Sequence, residues 1–324
     1  AVEVGDDVLP HRRGGEEHHG SGRRGADFCR GDKVRHGRWR IARGTLLFST
    51  ALLTGGRIAG NEESSKMKTA FAIGAHPDDI EFFMAGTLIL LRDAGYAIHY
   101  MTLANGCCGT TQYDRQTIAA MRRAEAAKAA ASINATFHDS LCNDLEIFYD
   151  LPTLKKLSAV MREVAPDIVL THPPADYMED HMNTCRLVVT AAFARGMPNF
   201  EVDPARPCID KKVTIYHAQP FWNRDPLRQR VEPDLFVDVS SVEEQKVAML
   251  AMHASQKQWL DESQGHDSYL NTLRELDEEV GRMSGLFRAA EGWRRHLHLG
   301  LCSEKDDPLR EALPAEVLMA RDAS

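Results

Sequence analysis

Nowhere in the 324-residue chain are there 18 or so consecutive apolar residues, so no integral membrane helix is expected. Basic charge is not in excess. The 39 Lys and Arg face 47 Asp and Glu, for a formal net charge of −8 and a sequence pI near 6.0. Such a balance lacks the footprint that nucleic acid or an anionic membrane surface would demand. Paired cysteine spacing is also missing. The seven cysteines are an odd number, and Cys107-Cys108 is a vicinal pair rather than a CxxC. A disulfide framework is therefore not expected, and a reduced, cytoplasmic compartment is the simpler reading. No internal repeat is present.

Methionine does not occur before Met67. Residues 1–66 are dominated by glycine, arginine, histidine and acidic residues, without a period of 2 or 3.6, and look unable to bury a core. They read as a disordered or non-native extension. The apolar run 46–53 after a basic stretch gives a faint export-signal shape as a further alternative. His11, His18, His19 and His36 read as solvated residues rather than ligands. The functional protein is expected to begin at Met67, with one domain over 67–300 and a C-terminal tail over 301–324.

From Met67 onward, strand-like and helix-like stretches alternate. Strands are predicted at 69–75, 96–103, 135–138, 167–172, 213–217 and 235–239. Helices are predicted at 84–93, 115–131, 152–164, 180–195 and, as one long element, 242–260. Strands spaced by helices give an α/β fold, a Rossmann-like, mostly parallel sheet with helices on both faces.

Chemistry concentrates in Ala75-His76-Pro77-Asp78-Asp79-Ile80-Glu81, where the first strand ends. In such sheets ligands bind at the carboxyl ends of the strands. A bland reading is a capped helix start, since Asp favours that position. The sharper reading is a metal site, because His76 and Asp79 offer the nitrogen and oxygen donors zinc accepts. A third donor must come from another strand end. The segment His172-Pro173-Pro174-Ala175-Asp176-Tyr177-Met178-Glu179-Asp180-His181 again leaves a strand and opens a helix, so His181 can complete the set. Three protein ligands leave a position for water, the arrangement of a catalytic site. Asp78 could then act as general base, and Asp180 could orient its neighbour His181.

These two motifs together resemble those of the LmbE-like zinc de-N-acetylases, related to the N-acetylglucosaminyl-phosphatidylinositol de-N-acetylases. Weaker likenesses agree over about 67–293: Gly86-Thr87, Arg122-Arg123-Ala124-Glu125, His253-Ala254-Ser255-Gln256 and Ala290-Glu291-Gly292-Trp293. The resemblance implies zinc on His76, Asp79 and His181, Asp78 as base, and Arg122 in contact with substrate. The implied reaction is removal of acetate from a small N-acetylated amino sugar or its conjugate. Asp144 is a second candidate for sugar hydroxyls, or else forms a loop Asx-turn.

One position departs from the pattern. Many relatives carry a histidine where this chain has Met178, and methionine can neither steady an oxyanion nor donate a proton. His253, His217, His172 and Tyr177 are the candidates to replace it, with His253 preferred. The departure keeps two alternatives open: an amidase on a thiol or N-acyl conjugate, and a non-catalytic metal- or sugar-binding module. Cys107-Cys108 reads as a small-residue loop rather than a thiol-metal site. Tyr113, Phe221 and Trp222 could stack on a sugar or simply pack. The segment 197–230 is long for a connection and reads as a substrate-side lid or a homo-oligomer contact.

Overall fold

In a computed structural model of the chain, residues 67–264 and 268–320 are described, with the side chains of 261–264 left out. The extension over 1–66 and its histidines lie outside the described residues.

The first strand, β1 (Thr69–Gly74), is buried along its whole length, as a central parallel strand must be when both of its faces are covered. Its alternate side chains feed two cores. Ala70 and Ala72 join Leu88, Tyr100, Leu170 and Trp293 on one face, while Phe71 and Ile73 join Met101, Leu157, Val169 and Leu187 on the other. The first of these faces is covered by helices including α2 (Ala85–Asp93) and α3 (Arg115–Ser132), the second by α4 (Leu151–Val164) and α5 (Glu179–Ala194).

Five parallel strands form one side of the sheet. In spatial order they are β3 (Thr136–His138), β2 (Ala97–Thr102), β1, β4 (Ile168–Thr171) and β5 (Thr214–Ala218). Chain order reverses between β1 and β4. The crevice at that switch point is where a doubly wound sheet binds ligands. Beyond β5 the sheet continues with β7 (Ala290–Arg295), β6 (Leu235–Asp238) and β8 (Val317–Met319), all paired antiparallel.

Helix starts follow local chemistry. Asp114 caps α3 by accepting from the backbone N–H of Gln116 and Thr117, and Asp150 caps α4 by accepting from Thr153. The helix expected over 242–260 is in fact two, α6 (Glu243–Leu250) and α7 (Ala254–Gln264). The break brings His253, fully buried, against the equally buried Glu81 of α1 (Asp79–Phe83). Such a contact is invisible to a periodicity argument. A further helix, α8 (Ser268–Ser284), packs on α7 and β7.

The segment expected to be a tail from 301 is instead structural through 320. It contributes α9 (Pro308–Ala312) and β8, and buries Leu309 and Leu313. The start of the segment 197–230 is anchored to α4, while Phe221 further along it lines the cavity. The Arg162 guanidinium donates to the carbonyl oxygens of Ala194, Met197, Phe200 and Arg206.

Candidate active site and metal centre

The turn after β1 is shaped by its own side chains. Asp79 Oδ2 accepts from the backbone N–H of Ala75 (3.0 Å) and His76 (2.7 Å). Gly74 permits this close packing, since a Cβ there would stand 3.1 Å from the Asp79 Cβ. Asp78 takes φ 104°, a strained conformation for a residue with a side chain, of the kind that collects at functional sites.

His76, Asp79 and His181 come together, all buried, with donor atoms within 4.8 Å of one another. Asp79 Oδ2 lies 3.6 Å from His76 Nδ1, and Asp79 Oδ1 lies 3.4 Å from His181 Nε2. Donors about 2.0–2.1 Å from a tetrahedral ion stand roughly 3.3–3.4 Å apart, so the spacing suits one metal ion.

The far nitrogens of both rings face carboxylates. His76 Nε2 donates to Asp180 Oδ2 at 2.9 Å. A carboxylate only accepts, so the proton belongs on Nε2 and the neutral ring offers Nδ1 to the centre. His181 Nδ1 lies 3.1 Å from Asp176 Oδ1, an ion-pair distance without hydrogen-bond alignment. The expected pairing is thereby corrected. Asp180 holds His76, not its neighbour His181, because successive residues at the start of α5 point in different directions. Asp176, which the sequence reading did not single out, serves His181. Its only signal was that it is one of three carboxylates inside the second motif, with Glu179 and Asp180.

With no ion in place, the charges of the cluster are shared with protons. Burial works against a charged His76, but the hydrogen bonds to Asp180 and Asp79 prevail and raise its pKa to about 9. Burial likewise opposes charge on His181, and the Asp79 charge with the contacts to Asp176 and Asp79 raises it to about 10. Burial opposes the Asp79 charge too, yet the His181 and His172 imidazoles hold its carboxyl well below the usual range.

Asp78 faces the cavity beside this cluster. Its Oδ2 accepts from the Tyr269 hydroxyl at 2.8 Å and lies 3.3 Å from the Arg122 guanidinium. Burial nevertheless pushes the Asp78 carboxyl up, with Arg122 opposing and the Asp79 charge adding to the rise. Arg122 itself is buried and also donates to the Pro77 carbonyl oxygen. Tyr269 comes from α8, an element the sequence reading did not predict.

The remaining expected residues divide. Asp144 lines the cavity, but its oxygens accept from the backbone N–H of Gly106 and Cys108, both at 2.7 Å, which clasps the loop after β2. His253 does not line the cavity. It is 0% exposed with Nε2 3.3 Å from Glu81 Oε2, so its placement does not fit the oxyanion role. His172 stacks on His181 with ring centres 4.0 Å apart, and His217 sits behind it, its Nδ1 donating to the His172 carbonyl oxygen. Of the four candidates to replace the Met178 position, Tyr177 lines the cavity, beside Met178 itself. Among the expected stacking residues, Phe221 lines it as well, but Tyr113 and Trp222 do not. The cavity measures about 540 Å³, and its lining includes Gln256, Trp259 and Leu260 of α7 and Tyr269 and Thr272 of α8.

A trio of residues that could hold a metal ion, at the switch point of a doubly wound sheet and with a carboxylate beside it, is an arrangement suited to metal-assisted hydrolysis. Comparison with known proteins narrows this. Residues 71–192 match the family model PIG-L, GlcNAc-PI de-N-acetylase. The chain is 30% identical over 244 residues to the diacetylchitobiose deacetylase of Thermococcus kodakarensis, covering 72% of this chain and 85% of that protein. It is 28% identical to the 4-oxalmesaconate hydratase of Pseudomonas putida, over 60% of this chain and 76% of that protein. It is also 28% identical to a probable N-acetyl-alpha-D-glucosaminyl L-malate deacetylase of Bacillus cereus, over 56% of this chain and 80% of that protein. The diacetylchitobiose deacetylase structure from Pyrococcus horikoshii superposes with a TM-score of 0.60 at 24% identity, over 72% of this chain and 85% of that one. The chain belongs to the PIG-L family and is an enzyme of its metal-dependent de-N-acetylase class. No helix among the described residues is long and apolar enough to cross a membrane.

Proposed function

We propose that the protein removes the acetyl group of an N-acetylated amino sugar, with zinc held by His76, Asp79 and His181 and with Asp78 as general base. The observation that carries this reading is the position of Asp78. Its carboxylate borders both the ligand trio and the cavity, and metal binding alone would not require it there.

When bound, zinc supplies Lewis acidity and eases ionisation of a water. Asp78 accepts a proton from the water that attacks the acetyl carbonyl carbon. Its free oxygen serves this step, because the other is held by Tyr269 and Arg122. As the new C–O bond forms and the C–N bond breaks, the same carboxyl returns the proton to the leaving nitrogen. Acetate and a free amine result, with one water consumed. Met178 cannot donate a proton, so both transfers fall to Asp78. Tyr177, which lines the cavity beside Met178, is the candidate to supply a hydroxyl donor to the oxyanion. Asp180 holds the His76 imidazole in the tautomer that presents a lone pair, and Asp176 lies 3.1 Å from His181 Nδ1, where its charge favours a proton on that nitrogen.

The test is acetate release from a panel of N-acetylated sugars by the zinc-loaded protein, with and without chelator. Release that chelation abolishes is expected. Zinc bound without release across the panel would favour a sugar-binding module instead.

A further inference from the structure

Asp78 is held by more than its own turn. Its φ of 104° lies where residues with a Cβ are rarely found, and such a residue stays there only when its surroundings fix it. On one side, the Asp78 carbonyl oxygen accepts from the Phe82 N–H at 3.0 Å, within the first turn of α1. On the other, Arg122 Nη2 donates to the Pro77 carbonyl oxygen and lies 3.3 Å from Asp78 Oδ2. The φ torsion of Asp78 separates that carbonyl from that carboxylate. A single nitrogen in contact with both therefore ties the preceding peptide plane to the side chain and resists rotation between them.

Arg122 reaches this point from α3 through a gap in the loop after β2. A Cβ on Gly106 would stand 2.5 Å from Arg122 Cδ, and one on Gly109 would stand 2.5 Å from Nη1. Both distances are too short for a real side chain, so the two glycines open a socket for the guanidinium. Asp144 shapes the same loop, because its two oxygens accept from the backbone N–H of Gly106 and of Cys108, both at 2.7 Å. Arg122 and Asp144 are 4% and 6% exposed.

We propose that Arg122 is a positioning residue for the general base, seated in a socket built by Gly106, Gly109 and Asp144. Together they hold Asp78 in its left-handed conformation, with its carboxylate beside the ligand trio. The inference rests on the deacetylase reading, and it moves Arg122 and Asp144 from holding sugar hydroxyls to holding the base.

Two variants separate these roles. In Gly109→Ala the new methyl meets the ends of the Arg122 and Gln256 side chains rather than backbone, so the fold is kept while the guanidinium is displaced. In Asp144→Asn one acceptor oxygen becomes an amide that faces an N–H, which loosens the socket from the other side. The experiment measures kcat and KM for acetate release from N,N'-diacetylchitobiose by the zinc-loaded full chain and by both variants. Misplacing a reacting group by about 1 Å costs on the order of 100-fold, so kcat should fall about 10- to 100-fold. KM should stay within about threefold, and zinc stoichiometry should not change. A loss of kcat/KM carried by KM would mean contact with the sugar and overturns the proposal, as does no loss at all or a loss that tracks departure of zinc. If the wild type turns over no acetamido sugar, the deacetylase reading falls, and crystal structures of the wild type and Gly109→Ala test the clamp alone. An Asp78 that leaves the left-handed region in the variant sustains it, and an unmoved Asp78 ends it.

Discussion

Replacing Asp180 by Ala probes the metal centre from behind. The wild-type contact is a 2.9 Å hydrogen bond from His76 Nε2 to a carboxylate that is 2% exposed. Hydrogen bonds to charged groups are worth about 1.5–3 kcal/mol. At about 1.4 kcal/mol per tenfold, losing one weakens the metal-bound state roughly 10- to 100-fold, the range seen when such supporting groups are removed. The metal-free protein loses something as well. Its His76 has a pKa raised to about 9, so at pH 7 the ring is mostly protonated, and zinc must displace a proton. Without Asp180, the ring gives up that proton more readily. The two effects oppose each other near pH 7, and the second vanishes above pH 9. Zinc affinity, measured by competition with a chromophoric chelator from pH 7 to 9.5, should therefore differ little between the two proteins at neutral pH. The gap should widen to 10- to 100-fold at the alkaline end. Parallel pH curves with equal affinity at pH 9.5 would refute the assignment of Nδ1 to the metal and Nε2 to Asp180.

The other expectations are briefer. In the wild type, both His76 (about 9) and His181 (about 10) hold protons at pH 7 when metal is absent; zinc uptake should release close to two protons, and calorimetry in buffers of different ionisation heat reads that number. Asp78→Asn should lower kcat about 10²- to 10⁴-fold, the usual worth of a general base, while zinc stoichiometry by mass spectrometry is unchanged. Tyr269→Phe removes a donor that lowers the Asp78 pKa, so the acid limb of the kcat/KM profile should move to higher pH; an unmoved limb would exclude Tyr269 from that role. Lys246 is fully buried between Asp277 (2.7 Å) and Glu291 (2.8 Å). Lys246→Met strands two buried carboxyls at about 3–5 kcal/mol, or a Tm lower by roughly 6–20 °C at 2–4 °C per kcal/mol, as scanning calorimetry would record.

Much of this was legible in the sequence because the signals are local. Continuous apolar runs marked β1 and β4, and residues packed into two strand-end turns marked His76, Asp79 and His181, which the fold brings together as a group that could hold a metal ion. The weaker motifs proved to be contacts with each other. Glu125 accepts from both the backbone N–H and the hydroxyl of Ser255, and Glu291 accepts from the N–H groups of Gly86 and Thr87. What was not legible depends on distant packing. The break before α7 follows from burying His253 against Glu81, and α8 brings in Tyr269 from 191 residues beyond Asp78. The partner of each ligand histidine was likewise hidden, since adjacency of Asp180 and His181 in sequence says nothing about which ring each carboxylate meets.

The central claim is that one metal ion on His76, Asp79 and His181 is needed for amide hydrolysis. Its most direct test is acetate release from N,N'-diacetylchitobiose by chelator-stripped protein as zinc is added back. The rate should start near zero and reach a plateau at one ion per chain, and His181→Ala should leave it flat. Full activity in the stripped protein, or an undiminished rise in the variant, would contradict the account.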